Sequence, residues 1–490
     1  MNGTCGTKKY GADKIALLGL FAVALLTAHF IITSRSAVVL SEPMKLDYTG
    51  LSVSMPAGNG WQSETRWKYQ KNAFILSSFF DSGAGSVTAL ARCRYLLAAT
   101  RTAPDMLFEE KASAIGGVIV KTGQIRTGRA GYRFAEGLQN GVPLTIDWVH
   151  IKKPKTLFDT FFGTVQLPNS RQLNIEVYQA MGDTNLAKQA FERIAESLKF
   201  KDSQLLEAGS EIIAEIKSKG INSFLDTPVK EPQNWLPTDN QSREEFFLIR
   251  DAKGNAIGFT IEVLIDSAPE AQLNIQGVSL LYIRGRYARE QATFFQSRNN
   301  LDEFAWKSEV SSSAGKSSTE VVLDKAGVMT VRKYGVRTEE KNYQLSPAAI
   351  PDVFGELTFS QMLDSDHKKI FLDVIKADGR ILPTLVSRIE VKDPVVAEED
   401  PILRFFIKTG IREEIAYVLR VEPLDGWGFF EQVYLDGQKR VLIKLLQQKG
   451  IYTLEHTSIE NILRQFPERA DYILQKNKML EQNQLWENSE

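Results

Sequence analysis

An unbroken apolar run near the N-terminus constrains this chain more than any other feature. It extends from Ile15 to Ile32, and its only polar members, Thr27 and His29, lie towards its C-terminal end. At a rise of about 1.5 Å per residue, a helix of this length with its flanks crosses a hydrocarbon core of roughly 30 Å. The sequence therefore predicts a transmembrane anchor over residues 15–33.

The basic residues around this run predict its orientation. Lys8, Lys9 and Lys14 precede it, whereas only Arg35 follows closely. Because positive charge is retained on the cytoplasmic side, residues 1–14 are predicted to be a cytoplasmic N-terminus. The protein is then a single-pass protein of the inner (cytoplasmic) membrane, with its bulk in the periplasm or another extracytoplasmic space.

A cleaved secretory signal is the alternative to an anchor. Ser34, Ser36 and Ala37 would suit a signal peptidase. However, the apolar core of a signal peptide usually spans only about 7 to 15 residues, so the uncleaved anchor is favoured. Both alternatives place the folded part of the chain outside the cytoplasm.

Length and composition indicate ordinary globular domains behind the anchor. The chain has 490 residues, of which 43% are apolar and 24% charged, and its formal charge is −1. One hydrophobic core rarely organises so long a chain, so two folded domains are expected. Within residues 44–201, Lys152, Lys153 and Lys155 form the only close basic cluster, so we expect no nucleic-acid partner. Cys93 is expected to be a buried strand residue.

The first domain is predicted to span residues 44–201 and to combine antiparallel strands with two helices. Residues 73–80 and 87–98 read as a hairpin, and a helix is predicted after Pro104. A second helix, over residues 185–198, closes the domain.

The order of these elements is similar to that of PsbP-like alpha/beta sandwich domains. The residues that carry the resemblance are Met55-Pro56 before a turn, Trp61 after it, Ala103-Pro104 before the central helix, and the closing run from Phe191 to Phe200. The resemblance implies a fold of about 155 residues and implies no particular activity.

The second domain is predicted to span residues 202–470, with a C-terminal helix and tail over 471–490. It opens with a helix over residues 205–216, and a proline-bearing connector follows from Asp226 to Arg243. At least ten strands in series then predict a large, strongly curved antiparallel sheet with short helices. The predicted fold class is therefore α+β.

This meander resembles the unclosed β-barrel of periplasmic lipoprotein carriers (LolA-like proteins). The phrases that carry the resemblance run from Gly254 to Phe259, from Leu301 to Trp306 and from Leu435 to Gln438. The resemblance implies that the concave side holds an acyl chain or another apolar ligand, with residues 350–363 as a helical lid. The alternative is that the apolar positions only fill a core.

Period-two alternation predicts which side chains would face such a ligand. The alternation groups apolar residues of three strands, assuming that their registers place them on one concave face. The predicted ligand-binding residues are Phe247, Ile249, Ile257, Phe259, Ile261, Ile370 and Leu372.

Catalytic and metal-binding motifs are absent from the sequence in any convincing context. Ser313 to Lys316 matches SxxK and Lys408 to Gly410 matches KTG, but the serine lies in a predicted loop between strands and not at the start of a helix. We expect no enzyme activity, no cofactor and no metal site. The predicted function is binding of an apolar ligand such as a lipid, or of an envelope protein partner. A structural scaffold of a cell-envelope complex is the alternative, and a hydrolase is a remote one.

Overall fold

A computed structural model describes most of the chain behind the apolar run. The described residues are 21, 38–58, 60–81, 87–99, 102–127, 143–154, 158–168, 170–179, 184–201, 203–220, 241–267, 272–283, 286–298, 301–313, 315–335, 338–389, 415–447 and 451–481.

The predicted anchor over residues 15–33 lies outside this described part, apart from Phe21. Among the helices within it, none has the length and apolar character needed to span a membrane. Most of the predicted connector from Asp226 to Arg243 also lies outside the described residues. The anchor, its orientation and the connector therefore remain predictions.

The first domain has a main antiparallel sheet with a helix on each face, and a small sheet of three strands. Its strands are β1 Met44–Leu46, β2 Leu51–Val53, β3 Trp61–Ser63, β4 Lys68–Gln70, β5 Ala73–Asp81, β6 Val87–Leu96, β7 Val118–Arg126, β8 Thr145–Lys153, β9 Phe158–Leu167, β10 Arg171–Gln179 and β11 Lys199–Phe200, and its helices are α1 Pro104–Ile115 and α2 Thr184–Ser197. The main sheet has the order β3-β5-β6-β10-β9-β8-β7, and β4 also pairs with β5; the small sheet has the order β1-β2-β11.

Successive residues of β9 explain how the two helices are held. Phe161 contacts Phe191 of α2, whereas its neighbour Phe162 packs edge-on against Phe108 of α1. Because adjacent strand residues point to opposite faces, the two helices cover opposite sides of the sheet. The predicted hairpin and both predicted helices are confirmed.

The second domain is built on one sheet of fifteen strands. Its elements are α3 Gln204–Lys219, β12 Gln241–Asp251, β13 Ala256–Ser267, β14 Gln272–Ile283, β15 Arg286–Arg298, β16 Phe304–Ser312, β17 Gly315–Leu323, β18 Val328–Tyr334, β19 Glu339–Gln344, β20 Ala349–Pro351, a 3-10 turn Asp352–Phe354, α4 Gly355–Asp364, β21 Lys369–Ile375, β22 Ile381–Ile389, β23 Tyr417–Pro423, β24 Phe430–Leu435, β25 Val441–Gln447, β26 Ile451–Thr457, α5 Ile459–Gln465, a 3-10 turn Pro467–Arg469 and α6 Ala470–Glu481. The sheet order is β19-β18-β17-β16-β15-β14-β13-β12-β26-β25-β24-β23-β22-β21-β20.

Chain connectivity forces this sheet to curl. Fifteen flat strands would extend across roughly 65 Å at about 4.8 Å per strand. Yet the edge strands β19 and β20 are separated only by residues 345–348, which span at most about 18 Å. The two edges therefore come close together, and the described pairings include none between them. The strongly curved antiparallel sheet that the sequence predicted is therefore confirmed. We call this curled sheet the barrel and the gap between its edges the seam.

Contacts of the 3-10 turn and α4 identify the concave face. Phe354 packs edge-on against Phe295 of β15, with ring centroids 5.1 Å apart. Two residues later, Glu356 lies 2.9 Å from the ammonium of Lys444 on β25. These strands are five positions apart in the sheet order, so one short segment touches both only from inside the curl.

The convex face is covered by the C-terminal helices. Phe466, which follows α5, packs on Phe259 of β13 with ring centroids 5.5 Å apart. Ile462 and Ile473 belong to the same buried cluster as Ile261. The C-terminal helices therefore stabilise one side of β12, β13 and β14 and leave the concave side free for other groups.

The first domain docks on the seam through the ends of its strands. The guanidinium of Arg171 forms an ion pair with Asp373 of β21, and both side chains are 1% exposed. Ser346 donates a hydrogen bond to the same carboxylate. In addition, the backbone N–H of Gln344 donates to the carbonyl of Ala99 at 2.9 Å. The two domains share one apolar core and meet where the barrel fails to close.

Helix α3 packs so closely on β21 that Gly209 is required there. A Cβ atom on Gly209 would lie 2.1 Å from the carbonyl oxygen of Phe371. Gly to Ala inside a helix normally stabilises by about 1 kcal/mol. We expect Gly209→Ala instead to lower the free energy of unfolding by about 1–3 kcal/mol, because the helix must move away from the strand. Chemical denaturation of both proteins measures this difference.

The matched control is Gly355→Ala at the start of α4. The nearest atom to a Cβ there would be Phe359 Cζ at 3.7 Å, which is ordinary contact. Its free energy of unfolding should be unchanged or slightly higher. If Gly209→Ala proved as stable as this control, the close packing of α3 on β21 would be wrong.

Candidate functional site

A cavity of about 310 Å³ lies at the seam. Its lining combines both edges of the barrel with α3, and we call it the seam cavity. The apolar part of the lining includes Ile213, Ile216, Phe304, Leu323, Ile350 and Phe354. At the roughly 30 Å³ that a water-sized group occupies, the cavity has room for about ten methylene-sized groups.

The local sequence explains why this space stays open. Pro347, between β19 and β20, has no N–H with which to extend a strand. Strand β20 has only three residues, and it pairs with β21 in parallel and with no other described strand. The edges therefore approach each other without forming a continuous ladder, and side chains of α3 close the remaining gap.

Charged residues lie at one part of the cavity lining. Lys217 of α3 forms an ion pair with Asp302 at 3.4 Å. Lys325, in the turn between β17 and β18, also lines the cavity and is exposed. In the described part of the chain, its ammonium forms neither a hydrogen bond nor an ion pair. The cavity thus has an apolar interior and, in its lining, the ammonium of Lys325, which can pair with an anionic group of a ligand.

A second set of charged side chains lies on the concave face, beside α4. Lys444 lies 2.9 Å from Glu356, and Lys376 lies 2.7 Å from Asp352 of the 3-10 turn. Burial lowers the pKa of Lys444, but the carboxylates of Glu356 and Glu431 outweigh this effect and raise it. Lys444 therefore stays charged inside the curl and ties α4 to β25.

Glu262 of β13 faces the same enclosed space. Burial raises the pKa of its carboxyl to about 7, and the charge of Glu245 adds to this effect, while Lys444 opposes it. Its side chain retains some exposed surface, so the space around it is enclosed without being fully packed. A carboxyl with this pKa changes its charge near neutral pH.

This shift predicts a measurable pH dependence of stability. The unfolded chain releases the Glu262 proton near pH 4.5, whereas the folded chain holds it until about pH 7. The free energy of unfolding contributed by this group is thus fully present below pH 4.5 and falls as the pH rises to 7. The free energy of unfolding of Glu262→Gln, relative to that of the wild type, should therefore increase by up to about 3 kcal/mol from pH 5 to pH 8.

Denaturant titrations at both pH values measure this gain, and Glu192→Gln supplies the control. The side chain of Glu192 is 43% exposed and pairs with Lys188 on the surface of α2, so this variant measures the effect of removing a surface carboxylate. If the difference in free energy of unfolding between Glu262→Gln and the wild type did not change with pH, Glu262 would titrate as an ordinary exposed carboxyl.

The strand registers divide the predicted ligand-binding residues between two faces. Phe247 pairs with Thr260 and Ile249 with Gly258, so both point away from Phe259 and Ile261. The prediction that placed these four side chains on one face was therefore wrong. The turn between β12 and β13 sets this pairing, and a register shift next to Ile249 accompanies it.

Phe247 and Ile249 are the members of this set that lie on the concave face. The ammonium of Lys444 sits 5.9 Å from the centre of the Phe247 ring, inside the curl. Phe259 and Ile261 instead belong to the convex cluster under the C-terminal helices. Ile257 lies at the register shift between β12 and β13 and has no paired residue in that register.

Ile370 and Leu372 also belong to the concave face. Across neighbouring strands, Ile370 pairs with Val386, Val386 with Val421, and Val421 with Glu431, which lies beside Lys444. Paired residues point to the same face, so Ile370 faces the same side as Lys444. Both side chains are buried in the shared core. None of the seven predicted residues lines the seam cavity, and their contact with a ligand remains a prediction.

Apart from Ile350, Pro351 and Phe354, which belong to the predicted lid over residues 350–363, the residues that line the seam cavity were not identified from the sequence. Ile213 and Ile216 appeared only as the apolar side of a helix, and Phe304 as part of a strand phrase. The usable signal was the break at Ser346-Pro347 between two short strands, which marks a sheet edge.

Other candidate groups have structural contacts. His150 lies 2.7 Å from Asp159 and stacks on Phe161 at 4.4 Å, and Cys93 is fully buried. His367, which follows α4, contacts Glu211 at 3.0 Å. Within the described ranges, no group of three or more His, Cys, Asp or Glu side chains could hold a metal ion.

Comparisons with known proteins add little to this description. No protein-family model matches the chain, and no curated protein matches it. The chain is similar to a β-barrel-like protein of domain of unknown function DUF1849 from Brucella abortus, with 8% identity, a TM-score of 0.30, and coverage of 44% of this chain and 95% of that one.

A second solved structure is a protein of the DUF1089 family from Pseudomonas aeruginosa. It has 11% identity and a TM-score of 0.21, and the match covers 44% of this chain and 94% of that one. Because both TM-scores are below 0.5, no conclusion about this chain follows from either likeness. The PsbP-like and LolA-like resemblances therefore remain predictions.

Proposed function

We propose that this protein is a membrane-anchored, extracytoplasmic binding protein that holds the apolar chain of an amphiphilic ligand in the seam cavity. The cavity itself, about 310 Å³ with mainly apolar side chains around it, is the observation that carries the proposal. Its volume is at the lower end of the range of small-molecule pockets. No catalytic group is needed for this role, and we propose that the protein is not an enzyme.

The energetics of chain burial support this choice of ligand. Each buried methylene contributes roughly 0.8 kcal/mol, so a chain of about ten carbons gains roughly 8 kcal/mol before the cost of ordering it. Lys325 can pair with an anionic head group at the exposed part of the cavity. A fatty acid or the acyl chain of an anionic lipid has the required chemistry.

The proposed location follows from the apolar run between Ile15 and Ile32, with three lysines on its N-terminal side. An anchor of this kind would keep the cavity close to a supply of lipid.

Mass spectrometry of co-purifying lipids tests the proposal. The full chain is purified from bacterial membranes in a detergent that retains bound lipid, and the extracted lipids are compared with those from Lys325→Gln. The wild type should retain about one chain-bearing anionic molecule per protein, and the variant should retain at least tenfold less. Lys333→Gln, on β18 and away from the cavity lining, should behave as the wild type. If all three proteins retained the same amount of lipid, and this lipid had the composition of the bulk membrane, the proposed head-group site would be contradicted.

A further inference from the structure

The turn between β23 and β24 displays two aromatic rings. Trp427 is 69% exposed, the highest value among the large hydrophobic side chains of the described residues. The ring of Phe429 stacks on it, with centroids 6.1 Å apart and planes inclined by 13°. We call residues 425–429 the aromatic tip.

Local sequence holds the tip in this shape. The backbone N–H of Trp427 donates to the side chain of Asp425 at 3.0 Å, which fixes the start of the turn. Gly426 and Gly428 have φ values of +82° and +69°, a conformation that costs glycine little. A Cβ atom on either glycine would meet nothing within 4 Å, so the tip projects into open space.

A single exposed aromatic residue would need no explanation. Here, however, two rings are stacked on a turn whose geometry keeps them out of the core. Charge near the tip is close to balanced, since Arg420 pairs with Glu422 at 3.3 Å and Asp425 is engaged within the turn. A partner recognised by charge is therefore a poor fit, whereas tryptophan is characteristic of the boundary between water and lipid.

A series of contacts connects the tip to the tethered end of the chain. The Trp67 indole donates to the carbonyl of Met44, the first residue of β1, at 3.4 Å. Two residues later, Tyr69 donates to the carbonyl of Ile381 at 2.6 Å. Leu424, at the base of the tip, donates its N–H to the nearby Pro383 carbonyl at 2.8 Å.

The length of the tether is compatible with membrane contact. Met44 follows Ile32, the last residue of the apolar run, by twelve residues. Even a fully extended chain keeps this distance to about 42 Å or less. The first strand, and the tip linked to it, therefore lie within reach of the bilayer that would hold the anchor.

We propose that the aromatic tip inserts into the head-group layer of the same membrane. This second contact orients the barrel relative to the bilayer. The proposal rests on the anchor of the proposed function and is independent of any ligand in the seam cavity.

Fluorescence quenching in vesicles tests this insertion. The full chain is reconstituted in phosphatidylcholine vesicles with or without lipid brominated near the head-group end of its acyl chains. The difference between wild type and Trp427→Leu isolates the Trp427 signal, and brominated lipid should quench that signal at least twofold. Phe429→Ser, which removes the stacked ring, should reduce this quenching.

The buried Trp306, which is 3% exposed, provides the control. The signal isolated with Trp306→Phe should be insensitive to brominated lipid. If the protein floats with the vesicles and the Trp427 signal is not quenched, the insertion is overturned, while the anchor and the ligand site are unaffected. Failure of the chain to float with vesicles would overturn the insertion and the anchor together.

Discussion

Replacing Arg171 with methionine is expected to lower the free energy of unfolding by about 3–5 kcal/mol. The reason is that Asp373 would remain as a charge in the shared core, where its side chain is 1% exposed. Arg171 also donates to the carbonyl of Leu97 at 2.8 Å, and this bond would be lost as well. Urea unfolding in mild detergent, followed by tryptophan fluorescence, measures the change.

A double variant separates the buried charge from the loss of contacts. Arg171→Met combined with Asp373→Leu removes both charges and should recover most of the lost stability, because apolar replacement of a whole buried pair is often neutral. Arg193→Met, at an exposed position of α2, is the control and should change stability by less than about 0.5 kcal/mol. If the double variant were as unstable as the single one, the ion pair would not be the cause.

Filling the seam cavity is expected to abolish ligand binding. Ala349, in β20, is a small residue of the cavity lining, and Ala349→Phe places a ring beside space that the ligand chain would occupy. The affinity for a fatty acid should fall at least tenfold, which corresponds to about 1.4 kcal/mol or more. A binding isotherm with a fluorescent fatty acid measures the loss.

Ala305→Phe is the matched control for this variant. Ala305 lies on β16 between Phe304 and Trp306, so its side chain points to the opposite face from theirs and does not line the cavity. Its affinity should equal that of the wild type. Equal losses in both variants would indicate general damage to the barrel and not a filled site.

Local patterns were sufficient to predict most elements of the fold. The predicted helix after Pro104 is present, and Gly220 directly follows the end of α3. In the second domain, the glycine-bearing turns Asp251 to Asn255 and Asp324 to Gly327 connect the paired strands of two hairpins. These features are encoded within a few residues, so a single sequence reveals them.

The faces of the strands could not be predicted in the same way. Whether Phe247 lies beside Phe259 depends on the pairing between two strands, and a shift of one residue reverses every side chain. The buried pair Arg171 and Asp373 is separated by about two hundred residues, and no local pattern relates them. The seam cavity likewise depends on the closeness of β19 and β20, which follows from the curl of the entire sheet.

The charge on the concave face was missed for a related reason. Glu262 stands among apolar residues of a strand, and no local pattern in the sequence assigned it a role. Its partner Lys444 is nearly two hundred residues away, on a strand that becomes a near neighbour only through β12 and β26.

Equilibrium titration of a fluorescent fatty acid into the delipidated full chain tests the central claim most directly. A saturable isotherm with one site per chain is expected for the wild type and for Ala305→Phe, with at least tenfold weaker binding for Ala349→Phe. Binding that does not saturate, or that is the same in all three proteins, would contradict a ligand site at the seam.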